Sequence, residues 1–299
     1  MKVGFIGTGS MGGPMAANVL AAGNELCVYD TVRAATATLE EAGAVRCEDL
    51  ASLVRASEVV LLSLPGPPEV DAVATEVLES MSAGQTLVDM STNSPALVKR
   101  IATQAQRKGV GFLDAPVSGG VRGAKKGTLA IMVGGEKELY ERFEPLFDSI
   151  GANIFHVGEV GAGNVAKLVN NMLAFSTMMA NAEALVLGAK AGVDLNVLYN
   201  IVRTSSGNSM TWEGGARAIL RDRLTPSFTL DLACKDMGLA TDLANELGIA
   251  LTMVPTAERL MKNFQNNGFG KEDLLATVKA LEEESGVTVL SLYYSYSFL

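Results

Sequence analysis

The chain has 299 residues, of which 48% are hydrophobic and 19% are charged, so an extended disordered protein is excluded. A chain of this length buries a large core without disulfides or metals, and two domains are expected. The net charge of −9 makes nucleic acid and anionic membrane surfaces poor partners, although a locally positive pocket still accommodates a small anion.

Cysteine and histidine usage narrows the chemistry further. The three cysteines are widely spaced and form no C-x-x-C pair, so a reducing cytoplasm is the predicted compartment. The single histidine, His156, lies in the strand-like run 154–157 and is predicted to be structural. A histidine-based metal site and a Ser-His-Asp triad are therefore not expected. The sequence also shows no signal peptide and no uncharged apolar run of about 18 residues.

The first half of the chain alternates short apolar runs with helical patterns, which is typical of a doubly wound parallel sheet with helices on both faces. Predicted strands occupy residues 3–6, 26–29, 59–64, 86–90, 111–113 and 129–133, and predicted helices occupy 11–22, 70–81 and 95–108. The fold class is therefore α/β, built from right-handed βαβ units.

The strand pattern stops at about residue 163. Residues 164–190 form one helical pattern about 40 Å long, which we expect to leave the sheet domain and join it to an all-helical domain. The predicted domains are 1–162 and 163–299, with further helices at 195–202, 230–247, 254–266 and 272–284. The apolar end, 290–299, either packs on a partner subunit or is poorly ordered.

A glycine-rich run follows the first strand directly and opens the first helix. Gly7, Gly9 and Gly12 have the G-x-G-x-x-G spacing, with Ser10 and Met11 between the last two. In a Rossmann-type dinucleotide-binding domain, these glycines allow a sharp turn, approach to the pyrophosphate, and close helix packing. The alternative is a glycine-rich turn that binds nothing.

An acidic residue stands where such a domain binds the adenosine ribose. Asp30 ends the second predicted strand, 18 residues after Gly12, and a carboxylate there accepts hydrogen bonds from the ribose 2′-hydroxyl and repels a 2′-phosphate. NAD is therefore the predicted cofactor. Arg33, three residues later, keeps NADP open as the alternative. Leu64, Pro65 and Thr92 follow later strands, at the sheet edge where cofactors bind.

Without a usable histidine, the acid–base group has to come from another residue type. Lys167 shares one helix face with Asn170 and Asn171, and partial burial lowers the pKa of a lysine into the range useful for proton transfer. The alternative is a solvated lysine beside two surface asparagines. Two adjacent asparagines are poor helix formers, which counts against that alternative.

Two other segments offer binding groups. The hydroxyl of Ser118 and the backbone N–H groups of Gly119 and Gly120 could together hold a carboxylate, although an ordinary turn has the same composition. Lys235, next to Asp236, is a second cation, with a solvated helix pair as its alternative. Trp212 is either a pocket wall or a residue of the core or of an interface.

Taken together, these segments resemble the β-hydroxyacid dehydrogenase family, which includes 3-hydroxyisobutyrate dehydrogenase and tartronate semialdehyde reductase. The resemblance covers about residues 2–288 and rests on four motifs in order. They are Phe5 to Gly12 with Met15, Ala16 and Asn18; Asp114 to Gly120; Gly161, Gly163, Lys167, Asn170 and Asn171; and Lys235, Asp236, Leu239 and Ala240. Thr8 departs from the family, which usually has leucine there.

The resemblance implies a role for each matched residue. Lys167 would be the catalytic acid–base, Ser118, Gly119 and Gly120 would hold the substrate carboxylate, and Asn171 would orient the substrate. Lys235 would close the site and contact the cofactor. Relatives that bind a sulfonate have arginine in place of Gly119, and imine reductases replace the lysine, so neither branch fits. Similar proteins form dimers or tetramers.

The preferred function is NAD-dependent oxidation of a small 3-hydroxy acid, such as 3-hydroxyisobutyrate, to its semialdehyde. The first alternative is a reductase acting on tartronate or succinic semialdehyde with NAD(P)H. The second, from another class, is a dinucleotide sensor without catalysis, which would be expected to lose Lys167. Physiological substrate, flux direction and the role of Arg122 are left open by the sequence.

Overall fold

The computed structural model describes residues 1–289, so the end segment 290–299, with its two alternative roles, lies outside the described residues. By its internal contacts the chain divides into two compact units, Met1–Leu168 and a second that starts at Val169. The division falls inside one long helix, Ala162–Lys190. One continuous helix therefore runs through the boundary between the units. The boundary lies a few residues beyond the one predicted at 162.

The first unit is a sheet with helices. Its strands are β1 (Lys2–Ile6), β2 (Glu25–Tyr29), β3 (Val45–Arg46), β4 (Val59–Leu62), β5 (Thr86–Asp89), β6 (Gly111–Asp114), β7 (Val117–Ser118), β8 (Leu129–Gly134) and β9 (Gly151–Gly158). Its helices are α1 (Gly12–Ala21), α2 (Ala37–Glu41), α3 (Leu50–Arg55), α4 (Pro67–Ser80), α5 (Pro95–Arg107), α6 (Gly120–Lys126) and α7 (Lys137–Asp148). The α/β class and the six predicted strands are confirmed.

The sheet order is β3-β2-β1-β4-β5-β6, followed by β8, which pairs with both β7 and β9. The first six strands are parallel, as expected for a doubly wound sheet. Strand β8 runs antiparallel to β6 and β7 but parallel to β9, so the parallel order of the first six strands changes at this end of the sheet. The segment between β6 and β8 contains β7 and the seven-residue helix α6. This short segment reverses the chain direction, so no long crossover connection is present.

Continuous apolar strands form this sheet because both of its faces are covered. Val59 and Leu61 of β4 belong to one buried cluster, and Val60 and Leu62 belong to the cluster on the other face. All four side chains are 0% exposed. Each such burial stabilises the fold by about 1.5–3 kcal/mol, so β4 tolerates no charged residue at these positions.

The second unit is helical in its described part. The long helix α8 (Ala162–Lys190) leads into α9 (Leu195–Arg203), α10 (Arg217–Leu220), α11 (Leu230–Glu246), α12 (Met253–Phe264) and α13 (Thr277–Ser285). By length and composition alone, α8 is the one described helix that would suffice for a membrane span. That criterion is weak evidence, since an apolar helix in the interior of a water-soluble domain meets it as well.

The core of the second unit contains Trp212. Its side chain is 1% exposed, its Nε1–H donates to the carbonyl of Tyr199 at 3.1 Å, and its ring stacks on the Tyr199 ring. Of the roles left open by the sequence, Trp212 therefore has the core role. His156 makes a local contact in the first unit, where its Nε2 lies 2.8 Å from the carbonyl oxygen of Gly135.

Candidate functional site

The loop between β1 and α1 is shaped by glycine. Gly7 has a φ of +87°, and a Cβ atom there would lie 2.3 Å from the carbonyl oxygen of Ser63. A Cβ atom at Gly12 would lie 1.8 Å from the carbonyl oxygen of Gly7. No side chain fits at either position, because backbone atoms cannot move away cheaply. The loop therefore passes close to β4 and folds back against the start of its own helix.

Gly9, in the middle of the same loop, faces open space. A Cβ atom there would meet nothing within 4 Å, and Ser10 beside it is exposed. Helix α1 has no side-chain cap and no acidic residue in its first turn, so its N-terminus is suited to an anion. The loop therefore fits a dinucleotide pyrophosphate, with Gly9, Ser10 and Met11 as the residues that would approach it.

Asp30 lies at the end of β2, beside this loop. Its Oδ2 accepts a hydrogen bond from the backbone N–H of Thr8 at 2.8 Å, and its Oδ1 accepts one from the N–H of Val32 at 2.8 Å. The Thr8 hydroxyl adds a weaker bond at 3.4 Å. Because a carboxylate offers about four acceptor positions, Asp30 is fixed in orientation and can still bind ribose hydroxyls.

Two further candidate cofactor segments lie at the carboxyl ends of β4 and β5. The backbone N–H of Leu64 donates to the hydroxyl of Ser91 at 2.9 Å, which joins the two segments. Pro65 is exposed and Thr92 is partly buried. Leu64, Pro65 and Thr92 therefore stand at the sheet edge that the sequence predicts for the cofactor.

A buried polar network lies behind Thr92. Asp89 accepts hydrogen bonds from the side-chain amide of Asn93 at 2.6 Å and from the backbone N–H of Ser91 at 3.0 Å. The N–H of Asn93 donates to Oδ1 of Asn164 at 2.7 Å, and Asn164 donates to Asp114 from its backbone N–H at 2.8 Å. Asp89, Asn93, Asp114 and Asn164 are all 0% exposed. The network fixes the first turn of α8 to the ends of β5 and β6.

Burial raises the pKa of both carboxyl groups in this network. The pKa of Asp89 rises to about 6, chiefly because burial penalises the charged form, and the Asp114 carboxylate adds repulsion. Burial also raises the pKa of Asp114, while hydrogen bonds from Gly161 and Asn164 oppose the rise. The pKa values of these two carboxyl groups on adjacent strands therefore both lie above the usual value for aspartate.

Asp89 should make stability depend on pH. Its pKa is about 6 in the folded protein against an ordinary value of 3.8, so this contribution to stability is fully present below pH 3.8 and is lost as the pH rises through 6. The difference corresponds to about 3 kcal/mol. Asp89→Asn should therefore gain about that much stability relative to wild type between pH 4 and pH 7, measured by urea unfolding.

A matched control for this prediction is Asp242→Asn, which changes an exposed carboxylate of the second unit. Its unfolding free energy should follow that of the wild type at both pH values. A pH-independent difference between Asp89→Asn and wild type would show that Asp89 is ionised at no cost, contrary to its burial.

Lys167 follows the fixed turn of α8. It lies three residues after Asn164, and its side chain is only 8% exposed. Gly161, which precedes the helix, donates from its N–H to Asp114 at 2.7 Å. In the same unit Ser118 lies on β7, paired with Ala130 of β8, and Gly119 and Gly120 are exposed after it. Lys167 is thus a buried lysine on a turn that several hydrogen bonds hold in place.

In the second unit, Asp236 joins two candidate residues. The side-chain amide of Asn171 donates to its Oδ2 at 2.7 Å, and Lys235 Nζ lies 2.8 Å from its Oδ1. Asp236 is 2% exposed, so this ion pair is shielded from water on the carboxylate side. Asn170 donates to Oδ1 of Asn171 at 3.0 Å. The amide of Asn171 therefore has a defined orientation.

The sequence reasoning missed the residues at the centre of these networks. Sequence reasoning gives Asp89 no site role and places Asn93 beside the cofactor, while Asp114, Asn164 and Asp236 stand only as parts of motifs. One signal was available: Asp89 and Asp114 are acidic residues that end otherwise apolar, buried strands. A charge at such a position needs a partner.

Two family models match the chain. Residues 2–158 match the model described as the NAD-binding domain of 6-phosphogluconate dehydrogenase. Residues 161–281 match the model described as the NAD-binding domain of NADP-dependent 3-hydroxyisobutyrate dehydrogenase. Together, the two matches span nearly all of the described chain.

Individual relatives cover almost the whole length. The chain is 39% identical to 2-(hydroxymethyl)glutarate dehydrogenase from Eubacterium barkeri over 293 residues, 97% of each chain. It is 36% identical to NAD-dependent L-serine dehydrogenase from Pseudomonas aeruginosa, over 95% of this chain and 99% of that protein. The solved 3-hydroxyisobutyrate dehydrogenase of Mycobacterium tuberculosis with L-serine is 30% identical, with a TM-score of 0.85, covering 93% of this chain and 98% of that one.

Proposed function

Since the chain belongs to the β-hydroxyacid dehydrogenase family, whose members are NAD(P)-dependent oxidoreductases, we propose that it oxidises a small 3-hydroxy acid to its semialdehyde with NAD. The observation that carries this proposal is Lys167, a lysine that is 8% exposed on the hydrogen-bonded first turns of α8. A surface lysine with no function would need neither that burial nor that support.

The proposed chemistry divides between a proton and a hydride. When bound, the nicotinamide dinucleotide supplies the hydride acceptor. Lys167 Nζ takes the proton of the substrate hydroxyl as the carbonyl forms. The Ser118 hydroxyl and the N–H groups of Gly119 and Gly120 hold the substrate carboxylate, and the Asn171 amide orients the substrate.

We assign cofactor binding to the glycine loop and to the strand ends described above. The assigned residues are Gly7, Gly9, Ser10, Met11, Gly12, Asp30, Leu64, Pro65, Thr92 and Lys235. The open space at Gly9 and the fixed carboxylate of Asp30 support the assignment of the pyrophosphate and the ribose. Lys235, which pairs with Asp236, is proposed to contact the cofactor.

The substrate class is supported by the names of the relatives. 2-(Hydroxymethyl)glutarate, L-serine and 3-hydroxyisobutyrate all have a hydroxyl group on the carbon β to a carboxylate. One pair of groups, a carboxylate holder and an acid–base residue, therefore suits all three. The side chain of the substrate changes binding by only about 1–3 kcal/mol per methylene, so it does not alter the reaction class.

A panel assay tests this proposal. Reduced nicotinamide would be followed by absorbance with 3-hydroxyisobutyrate, 3-hydroxypropionate, L-serine, glycerate, threonate, 4-hydroxybutyrate and 2-(hydroxymethyl)glutarate, each with NAD and with NADP. We expect NAD-dependent turnover of one or more 3-hydroxy acids. If these acids give no signal, tartronate and succinic semialdehyde would be tested with reduced cofactor, and their turnover would support the reductase alternative. Cofactor binding without any turnover would support the sensor alternative.

Cofactor preference gives a separate prediction. Asp30→Asn removes the negative charge that repels a 2′-phosphate and keeps the side-chain size. The ratio of kcat/KM for NADP to that for NAD should rise about ten-fold or more, the effect of about 1.4 kcal/mol. Asp71→Asn, an exposed aspartate on α4, is the control that should leave the ratio unchanged. An unaltered ratio in Asp30→Asn would remove Asp30 from the ribose site.

We also propose that the protein is a cytoplasmic homodimer or homotetramer. In the second unit, Leu173 and Leu187 of α8 are 61% and 71% exposed, and burial of these two apolar side chains against another subunit would favour association. A second copy of the chain would cover them. Light scattering should give a mass of two or four chains, and replacement of both leucines by glutamate should lower it.

A further inference from the structure

The most informative feature outside the assigned residues lies just beyond Asp30. Arg33 begins a short 3₁₀ helix, Arg33–Thr36, three residues after Asp30. In dinucleotide-binding domains, an arginine near this position binds the 2′-phosphate of NADP. The chain therefore has both a carboxylate suited to NAD and a guanidinium suited to NADP at the same strand end.

The guanidinium of Arg33 is paired with Glu40 through one of its nitrogens. Its Nη1 donates to Glu40 Oε1 at 3.1 Å and to Oε2 at 3.3 Å. The hydroxyl of Thr36 donates to the same Oε1 at 2.6 Å, which fixes the carboxylate in place. The hydrogen bond from Thr36 and the charge of Arg33 hold the pKa of Glu40 below its usual value. Glu40 therefore stays ionised at neutral pH.

The neighbouring charges leave this pairing intact. Arg46 on β3 also attracts Glu40, but its own Nη1 bonds Glu48 at 2.9 Å. Both arginines of this region are thus paired with glutamates, and Asp30 is held by the backbone N–H groups of Thr8 and Val32. An incoming 2′-phosphate would meet the fixed carboxylate of Asp30 and an arginine that already has an acidic partner.

We propose that Glu40 is a specificity-determining residue, which favours NAD over NADP by withholding the guanidinium of Arg33 from the 2′-phosphate. The inference rests on the proposed dinucleotide site. Glu40 would add to the preference for NAD that Asp30 sets. It would act through Arg33 and would not itself contact the cofactor. Thr36 supports Glu40 in that position.

Equilibrium binding of NADPH and NADH, followed by nucleotide fluorescence, tests this role without any substrate. In Glu40→Gln the side chain keeps its size but loses its charge, so Arg33 is released. The Kd for NADPH should fall about 5- to 10-fold, the effect of one charge-assisted hydrogen bond to a phosphate oxygen, while the Kd for NADH changes by less than about two-fold. Glu41→Gln, an exposed neighbour with the same charge change, is the matched control.

The double variant Arg33→Ala with Glu40→Gln should return the NADPH Kd to the wild-type value, because the gain depends on the guanidinium. Equal NADPH binding by Glu40→Gln and Glu41→Gln would overturn the role of Glu40 and leave the proposed function standing, provided that the wild type binds NADH. A wild type that binds neither nucleotide would overturn the proposed function and this inference together.

Discussion

Replacing Lys167 with alanine is expected to lower kcat about 10²- to 10⁴-fold, the usual contribution of a positioned acid–base group. The Kd for NADH should stay unchanged, because Lys167 is assigned to the substrate hydroxyl and not to the cofactor. The measurement is steady-state turnover of the substrate found in the panel, with nucleotide binding followed in parallel. Thermal unfolding would confirm that each variant is folded.

Two further variants separate proton transfer from charge. Lys167→Arg keeps the positive charge but has a guanidinium that does not release its proton, so it should be nearly as slow as the alanine variant. Lys190→Ala, at the other end of α8, removes an exposed lysine bonded to the carbonyl of Ser285 and should keep wild-type kcat. An arginine variant with near-normal kcat would mean that Lys167 acts only as a charge.

Gly9→Ala should abolish most nucleotide binding without disturbing the fold. A Cβ atom at Gly9 meets nothing within 4 Å of the protein, so the unfolding temperature should be unchanged. The added methyl group would occupy the space where the pyrophosphate approaches the backbone. Overpacking of this kind costs about 1–3 kcal/mol, so the Kd for NADH should rise about 10- to 100-fold.

The matched control is Gly214→Ala, in the second unit, where an added Cβ atom also meets nothing within 4 Å. It should keep both the stability and the NADH affinity of the wild type. Gly12→Ala differs from both, since its Cβ atom would lie 1.8 Å from a carbonyl oxygen, and it should lower the unfolding temperature. NADH binding by Gly9→Ala at wild-type affinity would show that the pyrophosphate does not approach Gly9.

The parallel sheet could be predicted because its strands are long enough to show a pattern. β4 consists of four apolar residues buried on both faces, which no exposed element would tolerate. β3 has only two residues, Val45 and Arg46, and carries no such pattern. The antiparallel direction of β8 depends on how the short segment before it turns, which local composition does not specify.

Only part of the candidate site could be predicted from the sequence. Gly7, Asp30 and Lys167 stand in short motifs whose spacing indicates a role. The hydrogen bonds that position Lys167 join residues far apart in the chain, such as Asp114 and Asn164, which are 50 positions apart. A single sequence contains no pattern for a pairing at that distance. The pairing of Arg33 with Glu40 has a different cause, because it joins a 3₁₀ helix to the α-helix that follows and no regular helix spacing indicates it.

Transfer of deuterium from the substrate carbon to the cofactor tests whether the protein catalyses hydride transfer. A 3-hydroxy acid active in the panel would be prepared with deuterium on the carbon that bears the hydroxyl, and the reduced cofactor would be analysed by mass spectrometry. With every hydrogen of that carbon replaced by deuterium, we expect one deuterium in each NADH formed by the wild type, at a rate that falls with Lys167→Ala. NADH without deuterium, or label lost to water, would contradict hydride transfer from that carbon.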